Sequence, residues 1–326
     1  MNTLPILWSE VGLAILALGI FIADIFIPSD EHREKIIFWT ALGGLTLLFI
    51  GHCVWGAHAA SAFEDSFIQD AFSFLFKALF YSAGFFTLCM AQGYSSRLQT
   101  GRVEFLLLIL LALLGMMALV SANDFVLFFV AIELLSVSLY VMTAYLRDEE
   151  KSIEAGAKLL ILGALSSVIF LFGLSFIYGS CGSTSFIAIH EFLLTKTAMP
   201  PAFIFGATLV VVSLGFKIAA VPFGFWAPDV YEGAPAPVTG FLSMGSKIAA
   251  VAALMRLLST IFVPLESKLI WVFAIFAALS IIYGNFGAIA QKNLKRLLGY
   301  SSIGHTGYLL VGLAAWKESG SEAMLY

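Results

Sequence analysis

Runs of about 20 apolar residues recur from one end of this sequence to the other, the length a helix needs to cross a ~30 Å hydrocarbon core. They lie approximately at 4–27, 36–56, 71–92, 104–122, 124–146, 154–178, 202–226, 239–261, 268–290 and 299–316. In lipid every backbone N–H and C=O must be paired within its own segment, so such runs fold as helices and not as open sheet. The expected fold is an all-α integral membrane protein, with residues 1–326 forming one polytopic membrane domain of about ten transmembrane helices. A chain that is 60% hydrophobic and 12% charged, with mean hydropathy +0.98, is not an ordinary soluble domain.

Several function classes drop out. A net charge of −4 without a dense basic patch gives no reason to expect nucleic acid. Cys53, Cys89 and Cys181 are scattered and form no CxxC pair, so neither a disulfide framework nor an iron–sulfur or zinc site is indicated. No Gly-rich nucleotide turn or soluble region is present either, so the chain is expected to bind no cofactor itself. The first run, Leu4 to Ile27, lacks a basic n-region and a clear small-residue cleavage site, and reads as a retained helix.

Loop charge predicts the orientation. Arg33 and Lys35, Arg97 and Arg102, Arg147 and Lys151, then Lys292, Lys295 and Arg296 follow helices one, three, five and nine. The opposite loops hold almost no cation: 57–70 is acidic, 179–201 has only Lys196 and 262–268 only Lys268. The positive-inside rule puts the basic loops in the cytoplasm and the N-terminus outside. The seventh loop is an exception, with Asp229 and Glu232 and no cation.

Four charges stand deep in the apolar runs: Glu133, Lys158, Lys217 and Lys247. A charge at the bilayer centre costs roughly 2.5–3.5 kcal/mol, tolerated only where groups pair or line a hydrated path. Glu133 is nine residues past Asp124, roughly 13 Å along its helix. Lys158 is about one turn inside its helix, with Glu154 four residues earlier on the same face. It can serve a proton path or snorkel to the interface. The small residues Gly156, Gly163 and Ala164 beside it let another helix approach closely.

Lys217 is followed by Pro222, Pro228, Pro235 and Pro237, which break the seventh helix and free backbone carbonyls. Lys247 has Gly245 and Ser246 beside it, while Arg256 is placed at the outer interface without a proton role. Lys77 and His305 are weaker candidates. His305 suits a relay member and a satisfied core histidine equally well. At an effective dielectric of about 20, unit charges roughly 8 Å apart interact by about 2 kcal/mol, so charges of this kind act on neighbours and must work as a relay.

WAPDVYEGAPAPVTGFLSMGSKIAAVAALMRLL, preceded by GFKIAAVPF, together with QKNLKRLLGYSSIGHTGYLLVG and NDFVLFFVAIELLSVSLYVM, resembles the N-type antiporter-like membrane subunits of the proton-pumping NADH–quinone oxidoreductases (respiratory complex I). Those subunits are related to the multisubunit Na⁺/H⁺ antiporters, and a subunit of such an antiporter, without a redox partner, is the alternative. The resemblance covers essentially the whole chain. It maps the family's helix-five glutamate onto Glu133, its helix-six lysine onto Lys158, the lysine of the broken helix onto Lys217 and the helix-eight lysine onto Lys247. His305 falls where the family often has a histidine.

What the resemblance implies is proton translocation coupled to NADH oxidation and quinone reduction in partner subunits. NADH, FMN, iron–sulfur clusters and quinone would be bound by those partners. The other antiporter-like and quinone-site subunits of a bacterial inner membrane complex would be the neighbours, with the N-terminus on the periplasmic side. By fold-level analogy the family bundle has about fourteen helices, so a chain ending at Tyr326, soon after the tenth, is expected to be a C-terminally truncated form lacking the second broken helix.

Overall fold

The computed structural model describes residues 6–27, 31–56, 58–98, 101–196 and 198–315. Among them eight helices are long and apolar enough to cross a membrane, and a shorter apolar helix covers Pro201–Lys217. The chain is a multi-pass membrane protein. It divides into two compact units, Met1–Asp148 with Pro235–Ala249 and Glu149–Ala234 with Ala250–Tyr326.

The first unit is built from α1 (Trp8–Phe26), α2 (Glu31–Trp55), α3 (Ala71–Gly93), α4 (Arg102–Ser121) and α5 (Phe125–Thr143). α4 is its most buried span and packs against α1, α3 and α5. The acidic loop expected at 57–70 contains a small hairpin, Ala60–Ala62 antiparallel to Phe67–Gln69. Its turn residues Phe63, Glu64 and Asp65 all have positive φ. Asn123 fastens the hairpin to the α4–α5 turn, its side chain donating to the Asp65 carbonyl at 2.9 Å and its amide to the Ser66 carbonyl at 2.9 Å.

Helix starts follow their caps. Asp70 accepts the Ser73 amide at 2.7 Å while the Ser73 hydroxyl accepts the Asp70 amide at 2.8 Å, a reciprocal box at the head of α3. Asp124 caps α5 by accepting the Val126 amide at 2.7 Å.

α6 (Glu150–Cys181), α7 (Phe186–Leu194), α8 (Pro201–Lys217) and α9 (Ala227–Gly233) open the second unit, and α12 (Glu266–Ile289) and α13 (Leu294–Ala314) complete it. α7 lies in what reads as a plain loop, because nine residues give too few turns for a clear apolar period. Close helix contacts use glycine. An added Cβ on Gly206 of α8 would collide with the Gly173 carbonyl oxygen of α6, and one on Gly284 of α12 would collide with the Gly304 amide nitrogen of α13. Small residues of this kind let membrane helices approach where no hydrophobic force separates protein from lipid.

The helix expected at 239–261 runs from Ala236 to Thr260 as α10 (Ala236–Phe241), a π-helical turn over Leu242–Ser246, and α11 (Lys247–Thr260). Within the first unit α10 packs on α3 and α5. Arg256 is buried, 7% exposed.

Candidate functional site

α8 stops at Lys217, and the chain then turns sharply before α9 begins at Ala227. Ala219 takes φ +59°, and its carbonyl oxygen occupies the space that a Cβ on Gly224 would need, so that return is open only to glycine. The break therefore precedes Pro222 by several residues. The backbone groups it frees are taken up by neighbouring hydroxyls. Val221 donates its amide to Ser280 Oγ of α12 at 2.9 Å, and Thr306 Oγ1 of α13 donates to the Ile218 carbonyl at 2.7 Å. Trp226 Nε1 reaches back to the Phe216 carbonyl at 3.2 Å. Irregular backbone at membrane depth is stable only with such internal partners.

Lys217 is thus the last residue of a helix whose terminal carbonyls carry partial negative charge. A cation placed there gains typically about 0.3–1 kcal/mol, and up to ~2 kcal/mol in favourable partly buried geometries. The side chain is half-buried.

Lys158 lies eight residues into α6, about 12 Å along it, and heads a chain of charges. Its Nζ is 2.6 Å from Glu154 Oε1 and 2.8 Å from Asp229 Oδ2 of α9. Asp229 Oδ1 is in turn 2.5 Å from Arg296 Nη1 of α13, which is 3.2 Å from Glu232 Oε2. Lys151 Nζ completes the chain at 2.8 Å from Glu232 Oε1. These six side chains border a cavity of about 110 Å³. Burial pushes the Asp229 carboxyl up, but hydrogen bonds from Lys158 and Arg296 outweigh it and leave it below the usual carboxylate range. The Lys151 hydrogen bond, aided by Arg296, holds Glu232 low as well.

The acidic exception in the seventh loop is explained by this arrangement. Asp229 and Glu232 neutralise cations from the loops after helices five and nine. The local Glu154–Lys158 pair was legible in the sequence; the roles of Lys151, Asp229, Glu232 and Arg296 were not. The signal that could have found them was an acid pair standing alone among basic loops.

Glu133 is half-buried in α5, on the stripe that carries the exposed Val126, Val130, Val137 and Val141. Lys247 is buried, 5% exposed, at the head of α11 directly after the π-helical turn. Such turns depart from the regular ladder and are frequent at functional sites. His305 is exposed in the middle of α13, not near a helix start, because that helix begins at Leu294 under an Asn293 cap; its ring stands 5.8 Å from Tyr308.

Residues 122–326 match the family described as NADH:quinone oxidoreductase/Mrp antiporter, TM, and NADH-quinone oxidoreductase subunit N of Moorella thermoacetica is 39% identical over 324 residues, 99% of this chain. The chain belongs to this family. It spans 66% of the length of the Moorella relative. Among solved structures, a chain of respiratory complex I from Thermus thermophilus with bound aureothin superposes with TM-score 0.78 at 33% identity, over 94% of this chain and 64% of that one. A chain of the Mrp complex from Dietzia sp. DQ12-45-1b gives TM-score 0.78 at 21% identity, covering 94% and 59%, which shows a shared fold alone. The family match includes all five of Glu133, Lys158, Lys217, Lys247 and His305.

Proposed function

We propose that this chain is the N subunit of a proton-translocating NADH–quinone oxidoreductase, moving protons while partner subunits carry NADH oxidation and quinone reduction. Subunit N relatives at 39% identity across nearly the whole chain support the redox-linked reading over the antiporter. The observation that carries proton handling is Lys217 at the end of a helix interrupted at membrane depth. Lys158 and Lys217 in the second unit, and Glu133 and Lys247 in the first, are the residues assigned to it, with His305 as an auxiliary. Each proton moved outward works against about 2.3 kcal/mol per 100 mV of membrane potential. That work comes from the redox partners. NADH, FMN, iron–sulfur clusters and quinone belong to those subunits in this reading, and the remaining antiporter-like and quinone-site subunits are the neighbours.

The Lys158–Asp229–Arg296 network sits at the cytoplasmic mouth if the loop charges set the orientation, with the N-terminus periplasmic and the complex in a bacterial inner membrane. There the cations hold Asp229 and Glu232 ionised, and Asp229 fixes the Lys158 ammonium at the entrance to the path. The deciding experiment is NADH-driven quinone reduction and proton uptake in inverted membrane vesicles carrying Lys217→Ala. Proton uptake should fall at least about tenfold, the equivalent of ~1.4 kcal/mol in barrier. Wild-type uptake with wild-type turnover removes Lys217 from the path. Sodium-driven proton exchange persisting without the redox subunits would favour the antiporter.

A further inference from the structure

Three helix ends of the first unit converge on a groove of about 260 Å³ outside the network described above. The start of α2 contributes Glu34, Lys35 and Phe38, the end of α3 contributes Gln92, and the start of α4 contributes Arg102 and Leu106. Its charged rim and its floor differ in kind. Arg102 pairs with Glu34 and also donates Nε to the Leu98 carbonyl at 3.1 Å. Lys35 is exposed and forms no ion pair among the described residues. Two cations against one carboxylate leave a single positive charge at the rim. Below it the wall is apolar and buried: Phe38, Leu98, Val103 and Leu106 are each 6% exposed or less.

The groove also lies at the right depth for a lipid headgroup. Lys35 is the fifth residue of α2, and Trp39, 66% exposed, stands one turn deeper, about 6 Å further along the helix. Ile36 beside it is 52% exposed. Tryptophan at that level marks the boundary between headgroups and acyl chains. Arg97, with its guanidinium 5.7 Å from the Tyr94 ring, lies near the same end of α3 but does not line the groove.

We propose that this groove is a binding site for an anionic glycerophospholipid, whose phosphodiester is held by Lys35 and Arg102 and whose acyl chains run down the α2 face past Ile36 and Trp39. One phosphodiester matches the rim's one net positive charge, and the apolar wall beneath suits glycerol and the first methylenes. A basic pocket between membrane helices on the side of the basic loops is where anionic headgroups are recognised. A zwitterionic lipid brings its own cation and gains less from Lys35.

The test uses the intact complex, purified from membranes with a mild detergent, and a photoactivatable phosphatidylglycerol carrying a diazirine on one acyl chain. Labelled peptides are mapped by mass spectrometry. The expected result is labelling of α2 and α4 peptides around Phe38 and Leu106, at least fivefold weaker with the phosphatidylcholine analogue and at least fivefold weaker in Lys35→Glu. Excess inorganic phosphate should compete poorly, which separates a lipid site from a free-anion site. Arg102→Gln should behave like Lys35→Glu; if it fails to assemble, Lys35→Glu carries the test. Equal labelling by both lipids, labelling indifferent to Lys35→Glu, or no label because another protein segment covers the groove would each overturn the proposal.

Discussion

Lys158 Nζ lies 2.8 Å from Asp229 Oδ2, a contact between residues 71 positions apart that ties α6 to α9. Their side chains are 39% and 33% exposed. Ion pairs this exposed contribute about 0.2–1 kcal/mol each, far too little to hold a membrane bundle together. What maintains the second unit is the packing of α12 on α13 and of α6 on α8, through glycine contacts that leave no room for a side chain. The charge network is therefore free to serve the function proposed for it.

Asp229→Asn separates these roles. It removes the carboxylate that Lys158 and Arg296 share, and stability should fall by only about 1 kcal/mol or less. Proton uptake in vesicles should fall several-fold. Thermal melting of the solubilised complex and vesicle uptake, measured on the same preparation, check both. Loss of stability with unimpaired uptake would make the network a structural clasp.

The network also sets a pH dependence with a definite sign. Asp229 and Glu232 have folded-state pKa values below their ordinary 3.8 and 4.5. Groups depressed on folding contribute stability above their unfolded pKa and lose it as pH falls through the folded one. The melting difference between wild type and Asp229→Asn should thus be constant from neutral pH to about 5 and shrink below about 4. A difference that instead grew on acidification would mean that the cations do not hold these carboxylates ionised.

How much of this was legible depends on how far apart the cooperating residues are. The membrane helices announce themselves by apolar length, and the break after Lys217 by its cluster of prolines. The position of the break was not readable, because it is fixed by Ala219 folding back on Gly224 and not by Pro222. Lys158 and Glu154 are one helical turn apart and could be paired on paper. Arg296 and Asp229, 67 residues apart, could not, since only tertiary packing brings α13 to α9. The same holds for Ser280 and Thr306, ordinary hydroxyls within apolar runs whose partners appear only once the backbone near Pro222 is seen.

A buried pair in the first unit should behave in the opposite way to Asp229. Lys77 Nζ is 2.6 Å from Glu10 Oε1, with side chains 0% and 8% exposed. Lys77 also bonds Gln69 and stands 5.1 Å from the centre of the Phe67 ring. Lys77→Ala leaves the Glu10 carboxylate buried without its partner, at a cost of about 3–5 kcal/mol. The subunit's level in membranes, read by immunoblot, should drop sharply, and Lys77→Met with Glu10→Gln should restore most of it. If the double variant is no better than the single one, burial of the unpartnered carboxylate is not the cause.

The hydroxyls that close the helix break give the sharpest link between structure and transport. Ser280 is 0% exposed and accepts the Val221 amide, while Thr306, 1% exposed, donates to the Ile218 carbonyl next to Lys217. Ser280→Ala leaves a buried N–H without a partner, which costs about 1–3 kcal/mol. Relaxation of the turn would move Ile218, and with it the neighbouring Lys217. Protons taken up per quinone reduced should therefore fall in Ser280→Ala and in Thr306→Val, and Thr306→Ser, which keeps the hydroxyl, should stay near wild type. The ratio matters more than the rate, because a merely unstable subunit lowers uptake and quinone reduction together. Ser280→Ala with a normal ratio and normal melting would show that the broken backbone does not depend on that hydroxyl.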